Sequence, residues 1–191
     1  MHSFAGSHWI SRLPAFLPAL GLFLLAASAQ PAPAGQALHG TLVYASTSPM
    51  ADWTGTNTAV TGSATWDSQS GKVTAEVVVA LADWNSGSAL REKHTRAMFD
   101  VEHFPRASFT LTGIANDAAR ANVTLKGTLD LHGVKRPLEI PGTLKMDKAH
   151  IAFSGDFSLR ITEWGMKRPS LLGAQVDDPV KVHIQAEAES K

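Results

Sequence analysis

The sequence predicts an all-β protein built on one antiparallel sheet of about eight strands, with one short helix between strands. Three observations favour this fold class: long segments in which apolar and polar residues alternate, short turns between those segments, and one interval with helical periodicity. Alternation places the apolar side chains of a strand on one face and its polar side chains on the other, which is typical of antiparallel sheets.

The composition suits a single domain and excludes several classes of protein. The chain has 191 residues, its 17 Lys and Arg residues balance its 17 Asp and Glu residues, and it contains no cysteine. A neutral chain lacks the basic face that a nucleic-acid partner requires. Without cysteine, disulfides, thiolate chemistry, iron–sulfur clusters and cysteine-based zinc sites are excluded.

Residues 1–29 have the features of a secretory signal peptide. Arg12 precedes an apolar stretch over residues 13–27, and Ala27 and Ala29 stand at the two positions that signal peptidase reads. The stretch is shorter than the roughly 20 residues of a spanning helix, so a cleaved signal is favoured over an uncleaved anchor. Export of a chain without cysteine indicates the bacterial periplasm, with secretion as the alternative, and leaves no stable membrane anchor.

After this segment the sequence predicts a flexible lead-in over residues 30–38 and one folded domain over residues 39–189. The predicted strands of that domain are 40–46, 59–66, 73–81, 107–113, 123–131, 138–146, 151–161 and 180–188. Turns such as Ser70-Gly71 join them as in a meander of hairpins, and residues 163–178 are predicted to form a loop over one rim. About eight strands can close into a barrel that holds a small ligand, although an open sandwich satisfies the same pattern.

One interval between strands has helical periodicity. In residues 86–99, Leu90, His94 and Met98 recur at four-residue spacing, and serines at the start of the interval can cap a helix. The sequence therefore predicts a short helix that ends near Asp100.

The apolar faces of all the strands would form the interior of a closed barrel. Several of the inward positions are very small: Ala75, Gly113, Gly127, Gly142, Gly155 and Ala186. One interpretation is that the glycines bend the strands and that side chains fill the core. The other is that small residues leave an apolar channel, which would take an apolar guest. The pattern alone does not decide between them.

Three segments resemble motifs of the YceI-like family. Residues 90–105, LREKHTRAMFDVEHFP, resemble the family's helix and the segment that follows it. Residues 127–138, GTLDLHGVKRPL, resemble its Leu-x-Leu-His-Gly-Val-x-x-Pro hairpin, and residues 157–166 are similar to its late strand and turn. The resemblance covers roughly residues 80–188 in the family's order, whereas the N-terminal strands depart from the family pattern.

The resemblance implies a lipocalin-like extended antiparallel barrel that holds a long apolar chain, such as an isoprenoid or fatty-acid derivative, in the periplasm. The inward residues expected to contact this ligand are Val77, Val79, Phe109, Leu111, Val123, Leu125, Leu129, Phe153, Phe157 and Ile184. No metal or redox cofactor is implied. Relatives often form dimers, so the resemblance leaves a homodimer as an alternative to a monomer. The alternative function is a non-enzymatic, stress-related module that binds a partner and has a filled core.

Polar and aromatic residues near the expected barrel mouth are candidates for contact with a lipid head group. These rim candidates are Arg91, His94, Arg96 and Trp164. Each also has a structural interpretation, because charged helix residues form weak ion pairs in solvent and tryptophans pack in cores. Trp53 and Trp164 are both expected to lie in loops.

Neither a catalytic centre nor a metal site is predicted. The sequence has no His-x-His, His-Glu-x-x-His or Gly-x-Ser-x-Gly motif and no phosphate-binding glycine loop. A hydrolase is the third interpretation, since catalytic groups can converge from distant positions in a chain.

Overall fold

The computed structural model describes residues 35–49, 51–116, 122–171 and 174–190. The predicted signal peptide, residues 1–29, lies outside these described residues. No helix within them is both long and apolar enough to cross a membrane.

Long strands make up most of the described chain. In chain order the strands are β1 (Gln36–Thr47), β2 (Asp52–Asp67), β3 (Lys72–Ala80), β4 (Trp84–Asn85), β5 (Arg106–Asn116), β6 (Asn122–Leu131), β7 (Val134–Met146), β8 (His150–Arg160), β9 (Ser170–Leu171), β10 (Ala174–Gln175) and β11 (Pro179–Glu189). Helix α1 spans Ala89–Phe99, and a 3₁₀ turn over Ile161–Trp164 follows β8. Strand β1 starts at Gln36, so its first residues overlap the predicted lead-in, 30–38.

The long strands form a closed antiparallel barrel. Each pairs with the next long strand along the chain in the order β1, β2, β3, β5, β6, β7, β8 and β11, and β11 pairs with β1 to close the sheet. In the closing pair Leu38 lies opposite Ala188 and Leu42 lies opposite Ile184. The predicted eight-stranded barrel is confirmed, and the open sandwich is excluded.

The predicted helix is also confirmed, with both ends close to their expected positions. Ser88 caps its N-terminus, where the Ser88 Oγ accepts the Arg91 N–H at 3.4 Å. Asp100 ends the helix in the left-handed region, with φ of 48°, and its N–H donates to the Ala97 carbonyl at 3.2 Å. The helix lies between the short strand β4 and β5.

The prediction that Gly113 faces the barrel interior is wrong. The register of β5 against β6 shifts between Leu111 and Gly113. An extra residue in a strand exchanges its two faces, so Ile114 and not Gly113 lines the barrel interior. Apart from the glycine's own chain neighbours, no atom lies within 4 Å of the place where a Cβ of Gly113 would stand.

A second irregularity lies in β2, where the register against β1 shifts near Asn57. Asn57 is completely buried. Its Nδ2 donates to the Ala80 carbonyl at 2.7 Å, and its Oδ1 accepts the Ala59 N–H at 2.8 Å. Both polar ends of the amide are therefore satisfied inside the sheet, as a buried polar side chain requires.

The predicted rim loop contains more structure than its sequence suggests. After the 3₁₀ turn, β9 and β10 pair with each other as a short antiparallel ladder. Two carboxylates tie the loop to the barrel: the Thr47 hydroxyl donates to Asp177 at 2.7 Å, and the Thr162 hydroxyl donates to Asp178 at 2.5 Å. The loop is thereby held over the same end of the barrel as α1, as the cavity lining described below shows.

Candidate functional site

The barrel interior contains a large cavity and a much smaller one. The larger has a volume of about 350 Å³, and the smaller has a volume of about 60 Å³. Among the residues that the structure describes, none lines both cavities. Sites for small molecules usually have volumes of several hundred Å³, so the larger cavity is the candidate functional site.

Inward-facing apolar side chains of the strands form the wall of the larger cavity. They are Leu42 of β1, Val79 of β3, Ala107 of β5, Leu129 and Leu131 of β6, Phe157 and Leu159 of β8, and Val180 and Val182 of β11. Each of these residues lies in the apolar phase of its strand, because successive side chains point to opposite faces of a sheet. The wall therefore favours an apolar occupant.

Helix α1 and the rim loop cover this cavity. The helix contributes Leu90, Met98 and Phe99 to the lining, and the rim loop contributes Pro169 and Val176. None of the helix residues is buried, and Leu90 has 62% of its surface exposed. Leu90 therefore presents an exposed apolar surface at the edge of the cavity.

Polar groups of the larger cavity are concentrated beside α1. The Tyr44 ring meets the Trp84 ring edge-on, with centroids 5.1 Å apart, and the Tyr44 side chain is hydrogen-bonded with Thr95 of the helix. Burial raises the pKa of Tyr44 above its ordinary value, while the Thr95 hydrogen bond and the Arg91 charge act in the opposite direction. The phenol therefore stays neutral at physiological pH and remains a hydrogen-bond donor.

Trp84 carries a buried N–H group without a partner. Its Nε1 is shielded from solvent and makes no hydrogen bond within the described structure. A buried donor left in this state costs about 1–3 kcal/mol. Trp84 lines the larger cavity, and within the part of the chain that the structure describes no carboxylate does so. The donor-bearing side chains that line this end of the cavity include those of Tyr44, Arg91 and Thr95, so this end suits a hydrogen-bond acceptor.

Arg91 braces the start of the helix against β2. Its Nη1 donates to the Ser86 carbonyl at 2.9 Å, and its guanidinium carbon lies 5.7 Å from the centre of the Trp53 ring. Trp53 was expected in a loop, but it lies in β2, which begins at Asp52. Strand β2 begins before the predicted strand 59–66, because its first residues pair with the end of β1.

The structure places the predicted ligand-contact residues around both cavities. Val79, Leu129 and Phe157 line the larger cavity. Val77, Phe109, Leu111, Leu125, Phe153 and Ile184 line the smaller one. Val123 lines neither and packs against the apolar core.

Two of the four rim candidates line the larger cavity, and the other two line neither cavity. Arg91 and His94 line the larger cavity, whereas Arg96 and Trp164 do not. Trp164 lies in the 3₁₀ turn rather than in an open loop, is only 3% exposed and packs in a second apolar cluster. The guanidinium carbon of Arg136 lies 5.9 Å from the centre of the Trp164 ring.

Small inward residues do not leave one continuous channel. A Cβ at Gly142 or at Gly155 would lie 2.6 Å from Cζ of Phe153, and a Cβ at Gly127 would collide with the Phe109 ring. Aromatic rings therefore occupy the space that these glycines leave. The channel interpretation holds for one part of the barrel and the filled-core interpretation holds for the middle.

Several site residues were not predicted, for two different reasons. Leu42, Val180 and Val182 lie in predicted strands and in the inward phase, so the alternating pattern contains the signal for them. Tyr44 shares the inward phase of Leu42 in the predicted strand 40–46, so the same pattern contains the signal for it. Trp84 has no such signal, because it lies in a two-residue strand that has no periodicity.

Metal-binding chemistry has no support in the described segments. No three His, Asp or Glu side chains are grouped there so that they could hold a metal ion.

Comparison with known families gives a match over most of the chain. The family model described as YceI-like domain matches residues 37–188. A comparison with curated proteins found no match.

Solved structures with the same fold come from several bacteria. BcnA of Burkholderia cenocepacia is 17% identical, with a TM-score of 0.69 over 78% of this chain and 96% of that chain. A polyisoprenoid binding domain from Saccharophagus degradans, implicated in plant cell wall breakdown, is 14% identical, with a TM-score of 0.62 over 82% of this chain and 99% of that chain. The YCEI protein of Campylobacter jejuni is 18% identical, with a TM-score of 0.61 over 72% of this chain and 84% of that chain. At these identities the similarity shows the fold alone.

Proposed function

The chain belongs to the YceI-like domain family, and we propose that it is a non-enzymatic carrier that holds one apolar chain of the isoprenoid or fatty-acid type. The observation that carries the proposal is the cavity of about 350 Å³, whose wall is formed by inward aliphatic and aromatic side chains. The neighbour from S. degradans, described as a polyisoprenoid binding domain, has the same fold and supports this ligand class.

The cavity gives the ligand a direction. Its apolar end lies against Leu129 and Phe157, where the wall is apolar. Its polar end lies under α1, where the Tyr44, Arg91 and His94 side chains line the cavity. Binding is driven by buried apolar area at about 25 cal/mol per Å², reduced by the entropy lost on association.

We place this function in the periplasm, with secretion as the alternative. The support is the sequence of residues 1–29, in which an apolar stretch after Arg12 ends in small residues. N-terminal sequencing of protein recovered from an osmotic-shock fraction tests this location. Full-length protein retained in the cytoplasm would contradict it.

A substitution that fills the cavity tests the carrier function. Val182 is half-buried, lines the cavity and lies opposite Phe157 and Tyr44 on the neighbouring strands. We expect Val182→Trp to occupy the ligand's space and to weaken uptake of a fluorescent fatty acid at least about tenfold. Lys181→Trp is the matched control, because Lys181 is exposed on the other face of β11.

Native mass spectrometry of protein purified without detergent gives the second readout. The carrier predicts a lipid-sized adduct on the unaltered protein and on Lys181→Trp, and its loss from Val182→Trp. Equal uptake by both variants would show that the ligand does not enter the cavity. A clean mass without any uptake would favour the module that binds a partner.

A further inference from the structure

The boundary between the two cavities falls at glycine positions. On β1 the inward residue between Leu38 of the smaller cavity and Leu42 of the larger is Gly40. Gly127 lies in the same way between Leu125 and Leu129 on β6, and Gly155 lies between Phe153 and Phe157 on β8. None of these three glycines lines either cavity. On these three strands the backbone carries no side chain at the boundary, whereas on β3, β5 and β11 the inward residues of the two cavities follow each other directly, as Val77 and Val79 do.

Two phenylalanine rings fill the space at this boundary. The Phe153 ring lies on Gly142 and Gly155, and the Phe109 ring lies on Gly127. Phe109 and Phe153 are 9% and 8% exposed, respectively, and both line only the smaller cavity. We refer to Phe109 and Phe153 as the partition, because together they separate the two parts of the interior.

We infer that the partition sets the length of the chain that this protein accepts. The inference rests on the proposed function, and it narrows the ligand class to single-chain amphiphiles of medium length. A chain that enters under α1 with its polar end beside Trp84 ends at the partition, since the cavity beyond it has a volume of only about 60 Å³. Methylenes that exceed this length stay in water and add nothing to binding.

A homologous series of saturated fatty acids, from octanoate to docosanoate, measures this limit. Affinity is read from displacement of a fluorescent fatty acid. Each methylene that enters the cavity strengthens binding about fourfold. We expect affinity of the unaltered protein to rise at this rate and then to stop rising at a defined acid within the series.

Removal of one ring of the partition is expected to move that limit. Phe153→Ala joins the smaller cavity to the larger one, so the break in the series shifts to longer acids. Phe153→Leu is the second variant, which keeps more of the core volume and gives a smaller shift in the same direction. Phe104→Ala is the matched control, because the Phe104 ring packs against His132 and lines neither cavity. It leaves the break at the same acid.

The outcomes separate this inference from the proposed function. A break that moves with the Phe153 variants and not with Phe104→Ala supports the partition. A series without a break in the unaltered protein, which needs no variant to fold, overturns the inference. The same break in the unaltered protein and in the Phe153 variants also overturns it and leaves the carrier standing. Absence of binding at every length, together with a native mass without a lipid-sized adduct, overturns the proposed function and the inference with it.

Discussion

Asp100 is a non-glycine residue in the left-handed region, and it performs two tasks at the end of α1. Its N–H donates to the Ala97 carbonyl at 3.2 Å, which ends the helix, and its carboxylate accepts from His103 Nδ1 at 2.8 Å. Asn and Asp tolerate this backbone region better than most residues. One residue therefore ends the helix with its backbone N–H and holds a nearby histidine with its carboxylate.

The pKa of His103 follows from this contact. The hydrogen bond to Asp100, and then the charge of that carboxylate, raises the pKa of His103 above its ordinary value of 6.5. Because the folded-state pKa is raised, the stabilisation is fully present below pH 6.5 and is lost as the pH rises through the folded-state pKa. We expect Asp100→Asn to lower the pKa of His103 towards 6.5 in an NMR titration while α1 is retained. An unchanged His103 titration in this variant would show that another group sets it.

Asn57 illustrates what single residues hide from sequence reasoning. Its polar character suggests a turn or a surface, yet it is completely buried and holds the bulge of β2 through Ala59 and Ala80. Gly113 was assigned to the wrong face for a related reason, since the register shift beside it leaves no trace in hydrophobicity. Bulges are set by local backbone geometry, which alternation of residue types does not encode.

Helix α1 is the element with the least tertiary support. None of its residues is buried, so its stability depends on its ends and on a few ties to its surroundings. The Glu92 carboxylate accepts the Ser86 N–H at 2.9 Å, and this hydrogen bond is the largest of the effects that lower the pKa of Glu92. Arg91 and Thr95 contact Ser86 and Tyr44, and Met98 and Phe99 pack against the apolar core. A short helix of this kind opens locally more readily than the strands beneath it.

Loss of the N-cap is expected to loosen the cover of the cavity. Ser88→Ala removes the side chain that accepts the Arg91 N–H, at a cost of about 1 kcal/mol. This cost predicts hydrogen exchange about fivefold faster in α1, with exchange in the barrel strands unchanged. Ser158→Ala, on the outer face of β8, is the control and leaves both unchanged. Equal exchange in α1 of the two variants would show that the cap contributes nothing.

At the level of elements, the sequence predicted most of the architecture. The long strands and the one helix were found because each strand buries a single face, which imposes alternation, and because the helix has a serine cap and a defined end. The rim loop was underestimated, since β9 and β10 are too short to show a period. The division of the interior was not predicted, because it depends on where the Phe109 and Phe153 rings lie across the barrel.

For the whole molecule, a ligand that binds only the closed barrel shifts the folding equilibrium. At about one hundred times its Kd it stabilises the folded state by about 2.7 kcal/mol. For a domain of this size that corresponds to a rise in Tm of about 5 to 10 °C. We expect this rise in calorimetry with the best fatty acid of the length series, and a rise of about half this size or less with Val182→Trp at the same ligand concentration. A Tm that is independent of ligand concentration would argue against binding inside the barrel.

The pairing of β1 with β11 also affects how the barrel is made. The sheet can close only after residues 36–47 have paired with residues 179–189. Until that strand has left the ribosome, the nascent sheet has free edges that can pair with other chains. Contacts so distant in sequence also form slowly. A holding chaperone that shields those edges would therefore benefit this chain more than a protein stabilised by local contacts.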